Sequence, residues 1–129
     1  MRIEHLAIWV QNLEAMKTFY TTYFHCTSGQ KYLNAKKNFE SYFLSFQGGS
    51  RLELMHMPGI EKHEGNYSNQ FIGITHFAIS VGSKDGVDSL TERLRLAGCA
   101  IVGEPRTTGD GYYESVVLDP EQNRIEITI

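Results

Sequence analysis

The 129-residue sequence is written twice, and a chain that repeats itself in this way is expected to fold as two copies of one small unit. Ile3-Glu4-His5-Leu6-Ala7-Ile8-Trp9-Val10 returns as Ile74-Thr75-His76-Phe77-Ala78-Ile79-Ser80-Val81, a shift of 71. Phe39-Glu40-Ser41 returns as Tyr113-Glu114-Ser115, a shift of 74, and Arg51-Leu52-Glu53-Leu54 returns as Arg124-Ile125-Glu126-Ile127, a shift of 73. Small drifts of offset are what insertions and deletions in loops produce.

The residue periods give the content of each copy. Residues 2–10 alternate, with Leu6, Ile8 and Val10 on one face and His5, Ala7 and Trp9 on the other, which predicts a strand. Asn12 is the expected N-cap of a helix whose apolar stripe is Leu13, Met16, Tyr20 and Tyr23. Two or three strands follow over 28–57, with Gly48-Gly49 as the last turn. The second copy starts with a strand at 74–81. Its helix runs from about Ser83 to Ala97 on the stripe Val87, Leu90, Leu94 and Ala97, and Gly98 is its stop. Strands near 100–104, 112–118 and 124–129 complete it, with Asp119-Pro120-Glu121-Gln122-Asn123 as the final hairpin connection. Each half reads βαβββ. The expected fold is therefore α+β: tandem βαβββ modules, about 1–57 and about 73–129, forming a curved mixed sheet in a single domain, 1–129. A polar, breaker-rich connection covers about 58–72. The glycine-rich stretch Gly103 to Gly111 reads as a mobile loop over a site or as a long hairpin connection.

Composition mainly excludes. A formal charge of -3 leaves no basic footprint for nucleic acid. No apolar run approaches the roughly 18 residues of a membrane span. The N-terminus passes directly into a strand pattern, and Glu4 and His5 interrupt any signal-peptide hydrophobic region, so a cytoplasmic protein is expected. Cys26 and Cys99 form no metal or redox spacing and read as structural.

Parity within the strands singles out four polar residues. Leu6, Ile8 and Val10 pack on the helix, so His5 faces away. The same reasoning turns His76 away beneath Phe77, Ile79 and Val81, Glu53 away beneath Leu52 and Leu54, and Glu126 away beneath Ile125, Ile127 and Ile129. One His or Glu on a solvated face is unremarkable; a His and a Glu at equivalent places in both copies is not. If pseudo-twofold symmetry relates the halves, the four side chains can converge on one point. Two imidazoles and two carboxylates suit a borderline divalent ion such as zinc, nickel, cobalt or iron(II). A carboxylate in such a set is also placed to act as a base. His56 lies on the core parity of its strand, while His25 and His63 fall in connections. Tyr20, Tyr23 and Phe24 are helix-to-sheet packing.

Paired βαβββ modules with His on the first strand and Glu on the last resemble the vicinal-oxygen-chelate superfamily, which includes glyoxalase I, bleomycin resistance proteins and extradiol dioxygenases. The likeness covers essentially the whole chain. It is most specific at His5-Leu6-Ala7-Ile8, at His76-Phe77-Ala78-Ile79-Ser80-Val81 and at Asp119-Pro120-Glu121-Gln122-Asn123-Arg124-Ile125-Glu126. By ligand identity the chain is most similar to glyoxalase I, whose His, Glu, His, Glu set maps onto His5, Glu53, His76 and Glu126. That resemblance implies one divalent metal and a lyase or isomerase that shifts a proton between adjacent carbons of a chelated α-oxygenated molecule, such as a methylglyoxal–thiol adduct. Glu126 is then the base and Glu53 its symmetric partner. The resemblance further implies a homodimer in which sites are completed within one chain or across two. The alternative is a protein of the same fold that binds and sequesters a small molecule without chemistry. Trp9, Arg51, Met55, Tyr113 and Arg124 are the expected cavity-lining, substrate-binding residues. Two departures stand out. Trp9 occupies the place of an Arg that helps bind the glutathione carboxylate in bacterial glyoxalase I, and Gln122 replaces a customary Gly in the last hairpin.

Overall fold

The computed structural model describes residues 1–62 and 72–129, so His63 and part of the connection lie outside the described residues. The chain divides into two compact units, Met1–Glu64 and Gly65–Ile129, and each builds its own sheet.

The first unit opens with strand β1 (His5–Trp9) and helix α1 (Leu13–Tyr23). The Asn12 side chain accepts a hydrogen bond from the Ala15 N–H at 3.0 Å, which caps the helix as the sequence predicts. The buried stripe is Leu13, Met16, Phe19 and Tyr20. Phe19 takes the place expected of Tyr23, which is only half-buried, because 3.6-residue geometry carries position 23 to the margin of the stripe. Strands β2 (Thr27–Ser28), β3 (Tyr32–Asn34), β4 (Phe39–Ser45) and β5 (Arg51–His56) follow. β2 and β3 both pair with β4, so they are two pieces of one interrupted edge strand. β1 lies parallel to β5, and the other pairings are antiparallel. Leu44, Leu52 and Leu54 face the helix and, with Met16 and Tyr20, form the core of this unit.

The second unit repeats the plan with strand β6 (Phe77–Ser80), helix α2 (Lys84–Leu96), β7 (Ile101–Thr107), β8 (Tyr113–Leu118) and β9 (Arg124–Thr128). The sheet order is β6-β9-β8-β7, with β6 parallel to β9. Ser83 caps α2 through the Gly86 N–H. Gly98 stops it at φ 88°, a left-handed conformation that glycine adopts without strain. Val87, Leu90 and Leu94 pack on Val117, Ile125 and Ile127. Inside that core Thr91 Oγ1 and Ser115 Oγ share a hydrogen bond of 2.6 Å. Ile129, expected on the packing face, is exposed at the chain's end.

Most of the glycine-rich stretch expected as a loop is strand β7, whose pairing shifts register between Ile101 and Gly103 and again before Arg106. Gly103 is there for close packing, since a Cβ at that position would meet Val116 at 3.2 Å. Pro105 is tolerated because β7 is an edge strand with a bulge. The true connection is the short turn after Thr107, closed by the Thr108 N–H donating to the Tyr112 carbonyl at 2.8 Å. In the last hairpin Gln122 stands at φ 72°. The buried Asp119 holds that turn: its Oδ1 accepts from the Glu121 and Asn123 N–H groups at 2.9 Å each. Among the described residues no helix is long and apolar enough to cross a membrane.

Candidate functional site

In each unit the helix covers one face of the sheet, and the residues paired across the ladder form rows on the other, here called the far face. In the first unit the ladder registers place Ala7, Glu53 and Phe43 in one row. His5 and Arg51 form the row on one side of it. Trp9, Met55, Ser41 and Tyr32 form the row on the other side. In the second unit Ala78, Glu126 and Val116 correspond to the central row. Ser80, Thr128, Glu114 and Arg106 correspond to the row of Trp9.

These registers bring the predicted pairs together within each unit. His5 Nε2 lies 3.7 Å from Glu53 Oε2, and His76 Nε2 lies 3.3 Å from Glu126 Oε2. Both glutamates are largely shielded from solvent, while the imidazoles are partly exposed. Among the described residues no group of three or more His, Cys, Asp or Glu is gathered at one point.

The surroundings of the two pairs differ. His5 Nδ1 contacts Glu4 Oε2 at 2.6 Å, which fixes the imidazole and leaves Nε2 turned to Glu53. Arg51 in turn holds Glu4, with Nε 2.8 Å and Nη2 2.6 Å from Oε1. The hydrogen bond to His5, opposed by desolvation and aided by Arg51, keeps the Glu4 carboxyl below its usual range. Arg51 also lies over the Phe43 ring at 4.1 Å, and His5 meets the edge of that ring at a centroid distance of 5.3 Å. Position 75, the counterpart of Glu4, is a threonine. Glu126 has a carboxylate for company instead. Burial pushes its pKa up, and the adjacent Glu114 adds to this through its charge and a shared hydrogen bond, while His76 and Arg106 pull it down. Glu114 is itself buried and paired with Arg106 Nη2 at 3.2 Å.

The residues expected to bind substrate fall into three groups. Trp9 and Met55 share the far face with Glu53, one row along. Arg51 and Arg124 occupy the rows of His5 and Leu118 respectively, and Arg51 is committed to Glu4 and Phe43. Tyr113 does not share this face. Its hydroxyl donates to Asp88 of α2 at 2.8 Å, and Lys84 lies over its ring. The cause is a slip of one residue. Pairing β8 with β9 equates Val116 with Phe43 and Glu114 with Ser41, so the shift along this strand is 73, not 74, and an odd slip exchanges faces.

His56 is tied into the fold: its Nδ1–H donates to the Val10 carbonyl at 3.0 Å. His25 is exposed at φ 51° just after α1. Both cysteines are free, and desolvation raises their pKa values. Sequence reasoning passed over Glu4, Phe43, Arg106 and Glu114. Glu4 escaped because strand alternation assigns neighbours to opposite faces, yet it precedes the first strand residue and reaches back to His5.

No curated protein matches the chain. Among solved structures, the trypanothione-dependent glyoxalase I of Leishmania major superposes with a TM-score of 0.78 at 23% identity, covering 99% of this chain and 86% of that one. A glyoxalase I variant from Zea mays gives 0.78 at 25% identity, and this chain spans only 44% of its length. A glyoxylase/bleomycin resistance protein/dioxygenase domain from Frankia sp. EAN1pec gives 0.82 at 19% identity, covering 100% of this chain and 97% of that one. Each likeness agrees with the duplicated βαβββ architecture. The family model for the glyoxalase/bleomycin resistance protein/dioxygenase superfamily matches residues 2–127, and the chain belongs to that superfamily.

Proposed function

We propose that this protein is a divalent-metal-dependent lyase or isomerase of glyoxalase I type, with His5, Glu53, His76 and Glu126 as the ligands of one ion. The observation that carries the reading is the repeated His–Glu pair, with Nε2 facing a shielded carboxylate at 3.7 Å and 3.3 Å. Two donors about 2.1 Å from one ion stand about 3.0–3.6 Å apart as their angle opens from 90° to 120°. One pair lies inside that span and the other just beyond it, so each pair taken by itself can share an ion. Zinc, nickel, cobalt and iron(II) all suit this mixed nitrogen and oxygen set.

When bound, such an ion would supply Lewis-acid stabilisation of negative charge on an α-oxygenated small molecule. The chain does the rest. Glu126 takes a proton from one carbon and returns it to the adjacent one, leaving the substrate isomerised and the carboxylate restored. In the chain without an ion, burial and Glu114 raise the proton affinity of Glu126. Glu4 holds His5 in the tautomer that presents Nε2. Glu53, flanked by Ala7 and Phe43, serves as a ligand.

Metal analysis of protein purified without added ions, followed by turnover of a methylglyoxal–glutathione mixture, tests this. Bound metal and turnover that Glu126→Gln abolishes are the expected results; protein without metal at these residues refutes the reading. A second reading, a binding protein without catalysis, is favoured by Trp9 standing where a substrate-binding Arg is found in bacterial glyoxalase I. Retained metal with no turnover of any α-oxygenated adduct would support it.

A further inference from the structure

The row beside Glu53 in the first unit has a composition that the proposed proton transfer does not use. Trp9, Met55, Ser41 and Tyr32 are neighbours across four strands of the far face. Phe39 bridges the ends of that row, edge-on to Trp9 at 6.0 Å and to Tyr32 at 6.1 Å. Trp9 and Tyr32 remain 41% and 55% exposed, so the rings present flat apolar surface instead of filling a core. Between them is an anomaly. Ser41 is 1% exposed, and its Oγ is buried without any hydrogen-bond partner. An unpaired buried hydroxyl destabilises the fold. Substitution to Ala would remove that cost, so the hydroxyl is retained against stability.

We propose that this row is the binding site for the aromatic end of a small molecule, whose ring packs among Trp9, Phe39 and Tyr32 and whose hydroxyl or carbonyl pairs with Ser41 Oγ. Met55, Ser41's neighbour on β5, carries an unbranched thioether, which changes rotamer at low cost. A row two residues along the strand lies about 7 Å from Glu53. The site thus deepens the functional reading above, on which its link to chemistry rests: the substrate is an α-oxygenated compound with an aromatic end. The equivalent row of the second unit, Ser80, Thr128, Glu114 and Arg106, holds no ring.

Trp9 is the only tryptophan, so its emission, excited at 295 nm, reports on this face alone. Metal-free protein is titrated with phenol, toluene and cyclohexanol, which separate the ring from the hydroxyl. Phenol is expected to change Trp9 emission saturably, with a dissociation constant of about a millimolar for so small a ligand. Toluene binds about fivefold more weakly, the value of one hydrogen bond, and cyclohexanol gives no saturable change. Ser41→Ala lowers phenol affinity to that of toluene while raising the melting temperature, which certifies that the variant folds. Phe39→Leu weakens phenol and toluene alike.

Equal binding of cyclohexanol and phenol, or phenol affinity unmoved by Ser41→Ala, would overturn the proposal. So would emission that changes with protein concentration alone, which would assign the face to a second copy. Because the titration uses metal-free protein, failure here is distinguishable from failure of the metal-dependent reading.

Discussion

The two units carry the same ladder and the same His–Glu pair, yet they furnish their far faces in opposite ways. Beside Glu53 stands a row of Trp9, Met55, Ser41 and Tyr32; beside Glu126 stands a row of Ser80, Thr128, Glu114 and Arg106. One unit offers rings and an orphan hydroxyl, the other a buried carboxylate and the guanidinium that neutralises it. Duplication supplied a common scaffold, on which burial and helix packing fix one face of each strand. The other face was free to diverge, and it did so by type of interaction: dispersion and shape in the first unit, charge and proton affinity in the second. Under the proposed function and the proposed ring site, the first unit would recognise the substrate and the second would react with it.

The largest effect should come from breaking the reactive half. Glu126→Gln is expected to lower turnover by about a hundred- to ten-thousand-fold, the range for removing a general base. Glu53→Gln should act chiefly through lost metal, so turnover per bound ion changes far less. Kinetics paired with metal analysis of both variants decides this, and equal losses per ion would erase the division of labour.

The packing faces should show the opposite result, equivalence. Leu54 and Ile127 are both fully buried and stand at matching ladder positions. Truncating either to Ala is expected to cost about 2–5 kcal/mol, measured by denaturant unfolding. A large disparity would mean that the two cores are less alike than their registers imply.

A smaller change sharpens the comparison at the hairpins. Gln122 holds a left-handed φ of 72°, whereas the corresponding turn of the first unit passes through Gly49 at φ 83°. Gln122→Gly is therefore expected to stabilise the protein by about 1 kcal/mol, read as a rise in melting temperature. Asp119→Ala should reverse that gain by removing the acceptor that closes the turn.

The smallest effect concerns how each helix is tied to its sheet. In the second unit the tie is the buried Thr91–Ser115 hydrogen bond, which carries no charge. In the first, Glu14 of α1 joins Lys17, Lys31 and Tyr42, and their hydrogen bonds draw its pKa down to about 2. A carboxyl whose pKa is lower in the folded than in the unfolded chain stabilises the fold above the unfolded value of 4.5. That contribution fades as pH falls from there toward 2. The network is exposed, so the gain is small. Glu14→Gln should be slightly less stable than the parent at neutral pH, and the gap should close on acidification in unfolding curves recorded between pH 7 and pH 2.

What the sequence determined by itself was everything that follows from the period of a single element. Alternation in four strands turned His5, Glu53, His76 and Glu126 away from the helices, and Asn12 and Gly98 marked helix ends, because side-chain direction and capping are local properties of the backbone. Tertiary structure decided what lies beside what. The shift of 73 along β8 moved Tyr113 to the helix side and set Glu114 against Glu126. The bulged pairing of β7 turned a glycine-rich stretch into an edge strand and delivered Arg106 to Glu114. Glu4 reached His5 from outside the strand. Register is set by turn lengths, bulges and the packing of one strand on another, so a slip of one residue leaves the local pattern intact while exchanging every neighbour across the ladder.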